Sequence, residues 1–135
     1  MEIVTGGGHN DGTRVLSQLC VWNGATLALE NVRTWYWIGN TQIWSVALGD
    51  IDADGNVEIV SGGYYTDGTR SVAQLCVWNG ATLELENVRN WYWTSNTIIY
   101  SVAVGNVDGD AALEIVTGGN YYDGTRDIAQ LCVWS

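Results

Sequence analysis

The chain contains no proline, no phenylalanine and no lysine, a single histidine and only five arginines. Against fifteen acidic residues this leaves a net charge of -10. So few cations cannot neutralise a run of phosphates, which argues against nucleic acid and anionic membrane surfaces as partners. No apolar run reaches the ~18 residues of a membrane span, so no membrane insertion is expected. Met1 leads into Glu-Ile-Val-Thr-Gly-Gly rather than the basic and apolar regions of a signal peptide. Charge is sparse too: 15% of the 135 residues are charged and 47% are apolar, including eight Trp and seven Tyr, which excludes a disordered acidic tail. At roughly 100–200 residues per domain, the length allows one modest domain over residues 1–135. A catalytic domain with a separate substrate domain does not fit.

The narrow vocabulary conceals a repeat. Residues 2–57 align without gaps on 58–113, and 114–135 align on the starts of both, so Glu2, Glu58 and Glu114 are equivalent and the period is 56 residues. About two thirds of positions in the first two units are identical, including Gln-Leu-Cys-Val-Trp-Asn-Gly-Ala-Thr-Leu at 18–27 and 74–83, and such self-similarity marks a repeat architecture. The chain holds two units and the first 22 residues of a third.

Each unit reads as four short strands separated by turn signals. In the second unit Glu58-Ile-Val-Ser is a strand that Gly62-Gly63 ends, and Asp67-Gly68 lies in the following loop. Val72 to Trp78 alternates, with Gln74, Cys76 and Trp78 on one side and Leu75 and Val77 on the other. Asn79-Gly80 predicts a two-residue type I′ hairpin, which needs φ > 0 at both positions. A third strand carries Leu83, Leu85 and, past an irregularity, Trp91 and Trp93. Ile98 to Val104 makes the fourth, with Ser101, Ala103 and Gly105 as a small-residue face suited to close packing. No segment has a helical period. The expectation is an all-β fold, and four antiparallel strands every 56 residues fit β-propeller blades better than a sandwich.

The segment Val46-Ala-Leu-Gly-Asp-Ile-Asp-Ala-Asp-Gly-Asn-Val-Glu-Ile-Val-Ser-Gly-Gly63 is a strand, an acidic loop, a second strand and a Gly pair. Val102 to Gly119 repeats it, and Glu2 to Gly7 supplies its second half. This pattern resembles the FG-GAP, or VCBS, repeat of integrin-α-like β-propellers. Phe-Gly and Gly-Ala-Pro are both missing, which brings the resemblance nearer the VCBS-like branch. In the family's frame, with the small-residue strand innermost, the chain reads B-C-D, then A-B-C-D, then A-B-C. That is ten strands, or about two and a half blades per chain. Propellers typically have 4–8 blades. The ring is therefore expected to be completed by a homo-oligomer joined through blade edges, or by a longer parent chain.

In the first acidic loop Asp50, Asp52 and Asp54 alternate, Gly55 eases the turn, Asn56 offers its carbonyl and Glu58 stands at the ninth position. Calcium takes several hard oxygen ligands about one point. The resemblance assigns ligands at positions 1, 3, 5, 7 through the backbone, and 9, which here are Asp50, Asp52, Asp54, Asn56 and Glu58. In the second loop the same positions hold Asn106, Asp108, Asp110, Ala112 and Glu114. One charge fewer, and Ala111 where the first loop has Gly55, predict weaker binding there, because a left-handed turn residue disfavours a Cβ. Glu2 belongs to a loop without its first half and is expected to hold no metal alone. The bland alternative is a pair of solvated acidic turns.

Other residues offer less chemistry. Cys20, Cys76 and Cys132 share one repeat position and read as buried free thiols, since equivalent points on different blades lie too far apart to bridge. His9 has Tyr65 and Tyr121 at its repeat positions and reads as a variable loop residue rather than a base. The loops Gly62 to Arg70 and Gly118 to Arg126 bring Tyr64, Tyr65, Asp67 and Arg70, and Tyr121, Tyr122, Asp123 and Arg126, into short compass. They form either a stacking platform for a sugar or a structural arrangement of Asp–Arg pairs and packed tyrosines. The tryptophans recur in register, as blade-interface residues do. No acid–base constellation emerges. The expected function is a non-enzymatic, calcium-binding module for extracellular or cell-surface adhesion, scaffolding or protein interaction. A carbohydrate-binding lectin using the Tyr-rich loops is the alternative.

Overall fold

A computed structural model describes all residues from Met1 to Ser135. Runs of Val, Ile, Thr and Trp punctuated by Asp-Gly and Asn-Gly leave no stretch for a helix, and the regular structure is entirely β. Ten strands form: β1 (Glu2–Asn10), β2 (Val15–Asn23), β3 (Leu29–Trp35), β4 (Thr41–Gly49), β5 (Glu58–Thr66), β6 (Ser71–Asn79), β7 (Leu85–Trp91), β8 (Thr97–Gly105), β9 (Glu114–Tyr122) and β10 (Asp127–Trp134). They make a first sheet β1-β2-β3, a central sheet β4-β5-β6-β7 and a third sheet β8-β9-β10, and every pairing is antiparallel between chain neighbours. The register recurs with the sequence: Ile3 faces Trp22, Ile59 faces Trp78 and Ile115 faces Trp134.

The sheets stack, with the central one buried on both faces. One cluster joins Leu19 and Val21 of β2 to Ile59, Cys76 and Trp78 of the central sheet. A second joins Val60, Ala73 and Leu75 of the central sheet to Ile99, Val102 and Ile115 of the third. This is the two-sided alternation read from Val72 to Trp78, with each side assigned to a different neighbour. Each seam is pinned by tryptophan. Trp35 lies 4.4 Å from Trp78 and Trp91 lies 4.7 Å from Trp134, ring centre to ring centre. The Trp35 indole N–H donates to Gln74 Oε1 at 3.4 Å, and that of Trp91 to Gln130 Oε1 at 3.3 Å. The edge strands β4 and β8 approach closely enough for the Val102 N–H to donate to Ser45 Oγ at 3.1 Å, although Ser101 and Ala103 of the small-residue face are exposed.

Several local expectations are corrected. Gly62-Gly63 does not end a strand: β5 continues to Thr66, because Gly63 lies opposite Ile43 beside a bulge in β4, where the missing side chain lets the Gln42 carbonyl come close. Asn79-Gly80 is not a two-residue hairpin. Asn79 Oδ1 accepts from the Ala81 and Thr82 N–H groups, and the left-handed residue is Leu83, at φ 58°. Leu83 thus belongs to this turn, where it is buried, and Trp93 lies beyond the end of β7 and is exposed. His9 sits in strand β1, not in a loop.

Candidate metal centres

Glu58 opens the central strand β5, paired on one side with Gly49 and on the other with Asn79. Flanked on both sides, it is only 3% exposed, and Glu114, which opens β9, is equally buried. Each carboxylate holds one oxygen on the backbone: Glu58 Oε2 accepts from the Ile51 N–H at 2.8 Å, and Glu114 Oε2 from the Val107 N–H at 2.8 Å. Neither makes an ion pair, since the two ion pairs of the molecule are Arg70–Asp67 and Arg126–Asp123. A carboxylate removed from water without a partner costs on the order of several kcal/mol. A cation would relieve that cost.

The loops bring aspartates to these glutamates. Asp50, Asp52 and Glu58 each place a ligand atom within 4.8 Å of the others, and Asp108, Asp110 and Glu114 do the same. Ligands about 2.3–2.6 Å from a central calcium ion span that distance, so both donor sets fit a hard divalent cation by size and chemistry. The first loop is preorganised through its backbone. Asp50 Oδ1 accepts from the Asp54 N–H at 3.0 Å and Oδ2 from the Gly55 N–H at 3.0 Å. Gly55 takes φ 92°, and Ala53 is forced into the left-handed region at φ 60°.

One expected ligand of the first loop, Asp54, lies outside this carboxylate cluster. The Asp54 carboxylate accepts from the Asn56 N–H at 2.8 Å and from Asn56 Nδ2 at 3.0 Å. Those bonds, the backbone one first, hold its pKa below the usual carboxylate value. The second loop follows another path. Its left-handed residue is Gly109, at φ 91°, rather than Ala111, so the methyl of Ala111 imposes no left-handed strain. Asn106 Oδ1 accepts from the Gly109 N–H at 2.7 Å while its Nδ2 donates to the Asp110 carbonyl, and Ala112 N–H donates to Asp110 Oδ1 at 2.8 Å. The carboxylates that converge are thus at loop positions 1, 3 and 9 in the first case and 3, 5 and 9 in the second. Glu2, at the corresponding place in β1, is exposed.

The Tyr-rich segments are divided by the strands they lie in. Tyr64 and Tyr65 point to opposite faces of β5. The Tyr64 hydroxyl lies 3.0 Å from Gln42 Oε1, to which it donates, and Tyr65 is buried, which together with the nearby Asp67 charge raises its pKa. Asp67 Oδ1 accepts from the Thr69 and Arg70 N–H groups, Arg70 Nε lies 3.7 Å from Asp67 Oδ2, and the guanidinium covers the Tyr92 ring at 4.3 Å. Asp123 and Arg126 repeat the ion pair at 3.6 Å. Tyr121 lies 6.4 Å from Trp93, and Tyr122 reaches solvent. The carboxylates of Asp67 and Asp123 are thus engaged within their own loops, while the Arg126 side chain is largely exposed.

An exposed aromatic pair lies elsewhere. Trp44 and Tyr100 are repeat equivalents at the bulges of β4 and β8, 6.0 Å apart and both open to solvent. The signal was the run Ile43-Trp44 and Ile99-Tyr100, two large apolar residues in succession, which a strict period of two does not accommodate. All three cysteines are free, with Cys20 and Cys76 buried and Cys132 half-buried. The chain matches no protein-family model and no curated protein.

Proposed function

We propose that the chain is a non-enzymatic, calcium-stabilised β-propeller module of the FG-GAP/VCBS type, its three sheets acting as blades. Its role is adhesion, scaffolding or protein interaction at the cell surface or outside it, as a homo-oligomer or within a larger propeller. The observation that carries the reading is a buried glutamate without a cationic partner beside two loop aspartates, recurring after 56 residues as Glu58 and Glu114. Calcium supplies the missing charge and ties the loop between the first two strands of a blade to the start of the second. An extracellular setting is where such a site is filled. Asp54 adds to the negative field of the first loop without joining its ligand cluster, so that loop binds more tightly.

Calorimetric titration tests this. Two calcium ions bind per chain, the thermal midpoint rises with calcium and falls with a chelator, and Glu58→Gln removes the tighter site while leaving the other. A ligand bound only to the folded state stabilises it by about 2.7 kcal/mol at a hundredfold excess over Kd. An unchanged melt with no heat of binding refutes the proposal. A second reading, carbohydrate binding, draws its support from the exposed Trp44–Tyr100 pair rather than from the buried Tyr65. Saturable binding on a glycan array, lost on Trp44→Ala, would establish it.

A further inference from the structure

The two internal seams are copies of one interface, and the outer faces of the stack carry its two halves. In the first seam Leu19 and Val21 of β2 meet Ile59, Cys76 and Trp78 of the central sheet. In the second seam Ala73 and Leu75, in the strand equivalent to β2, meet Ile115 of the third sheet, with Val77 and Trp134 packed alongside. The residues that continue this series point outward. On the third sheet, Leu131 and Val133 are 76% and 56% exposed, whereas their equivalents Leu19 and Val21 are 0% and 8% exposed. On the far face of the first sheet, Ile3 is 41% exposed against 2% for Ile59, and Val32, the equivalent of the seam residue Val88, is 45% exposed. Trp22 stands between them, opposite Ile3 in the β1–β2 ladder.

We infer that the outer face of the third sheet docks on the outer face of the first sheet of a second copy of this chain, head to tail, by the residue pairs of the internal seams. Leu131 and Val133 of one copy cover Ile3, Trp22 and Val32 of the next. The occupant is specified because the chain already displays twice how these two faces fit. The contact is heterologous, joining unlike patches, so it leaves one free face of each kind at the ends of any open assembly and closes only as a ring. It is also weaker than an internal seam. The tryptophans that pin those seams, Trp35 and Trp91, come from β3 and β7, and the third sheet has no strand at that place to present one to Trp22 and Gln18. The inference rests on the assembling part of the proposed function and not on its calcium part.

The test is the mass in solution, by sedimentation at several concentrations in calcium, of the wild-type chain, Ile3→Asp, Leu131→Asp and an equimolar mixture of the two variants. The substituted side chains are exposed, and circular dichroism checks that each variant keeps its strands; Val32→Asp and Val133→Asp replace either one that does not. The wild type associates, each variant alone is monomeric, and the mixture forms a dimer and nothing larger, because one intact face of each kind remains. A monomeric wild type overturns both the inference and the assembly half of the proposed function. An associating wild type together with self-association of either variant alone overturns the inference only. Self-association of either variant means that its intact face meets its like or that the substituted residue lies outside the contact.

Discussion

Trp78 shows how one side chain is used when it faces a neighbour. It is almost fully buried, stacks near Trp35 and donates from its indole N–H to Ser61 Oγ at 2.9 Å. Trp22 makes the same bond to Thr5 Oγ1 at 2.9 Å but has no sheet against its outer side. Trp78→Ala is expected to cost about 3–5 kcal/mol, and Trp22→Ala on the order of 1 kcal/mol, in denaturant unfolding of the same protein. The strands that present these two residues have the same sequence from Gln18 and Gln74 onward, so this difference was invisible in the sequence and is set by position in the stack. Cys76 is a second such case. Burial, slightly opposed by its hydrogen bond with Ser61, pushes its thiol up to about 12. The folded state therefore keeps a proton that the unfolded chain loses. The contribution is complete below the ordinary thiol pKa of about 8.5 and declines as pH rises toward 12. The stability difference between wild type and Cys76→Ala, followed from neutral to alkaline pH, is expected to shrink over that interval, and the native thiol at Cys76 is expected to resist alkylation.

Among the elements, the ten strands, their order and the turns at Asp-Gly were legible because the apolar alternation is strong and the repeat shows each signal more than once. The ends of strands were less so. A Gly pair reads as a terminator in isolation, yet in β5 it is what allows the ladder to pass a bulge, and that requirement comes from β4. A Cβ at Gly63 would overlap the Gln42 carbonyl oxygen, whereas one at Gly7, the same repeat position in β1, meets nothing within 4 Å because no strand pairs with that side. Gly63→Ala is expected to lower the thermal midpoint steeply and Gly7→Ala to leave it nearly unchanged. Equal effects would mean that the pairing of β4 and β5 differs from the one described. The acidic loops show the same division. Their existence and their closing glutamates were legible from spacing, whereas the diversion of Asp54 to Asn56 and the absence of a left-handed turn at Ala111, the equivalent of Gly55, depend on backbone paths that side-chain spacing does not specify.

For the molecule as a whole, a net charge of -10 acts on a stack whose only charged cationic side chains at neutral pH are five arginines. Without calcium, self-repulsion is expected to make the thermal midpoint rise with sodium chloride, since the screening length falls from about 10 Å at 0.1 M to about 3 Å at 1 M. With calcium bound the slope is expected to flatten. The strand pairings follow chain order, so hairpins can assemble independently and meet later, which gives the recurring register a kinetic meaning. The β1–β2 and β9–β10 hairpins share both pairing pattern and much of their sequence, from Glu-Ile-Val-Thr-Gly-Gly to Gln-Leu-Cys-Val-Trp. During refolding, β8 thus has two nearly equivalent suitors, its own β9 and the β1 of whichever chain is closest. Exchange of such elements is a characteristic failure mode of repeat proteins. Rapid dilution from denaturant at rising protein concentration is expected to divert a growing share of chains into long-lived swapped species that return only slowly to the native population.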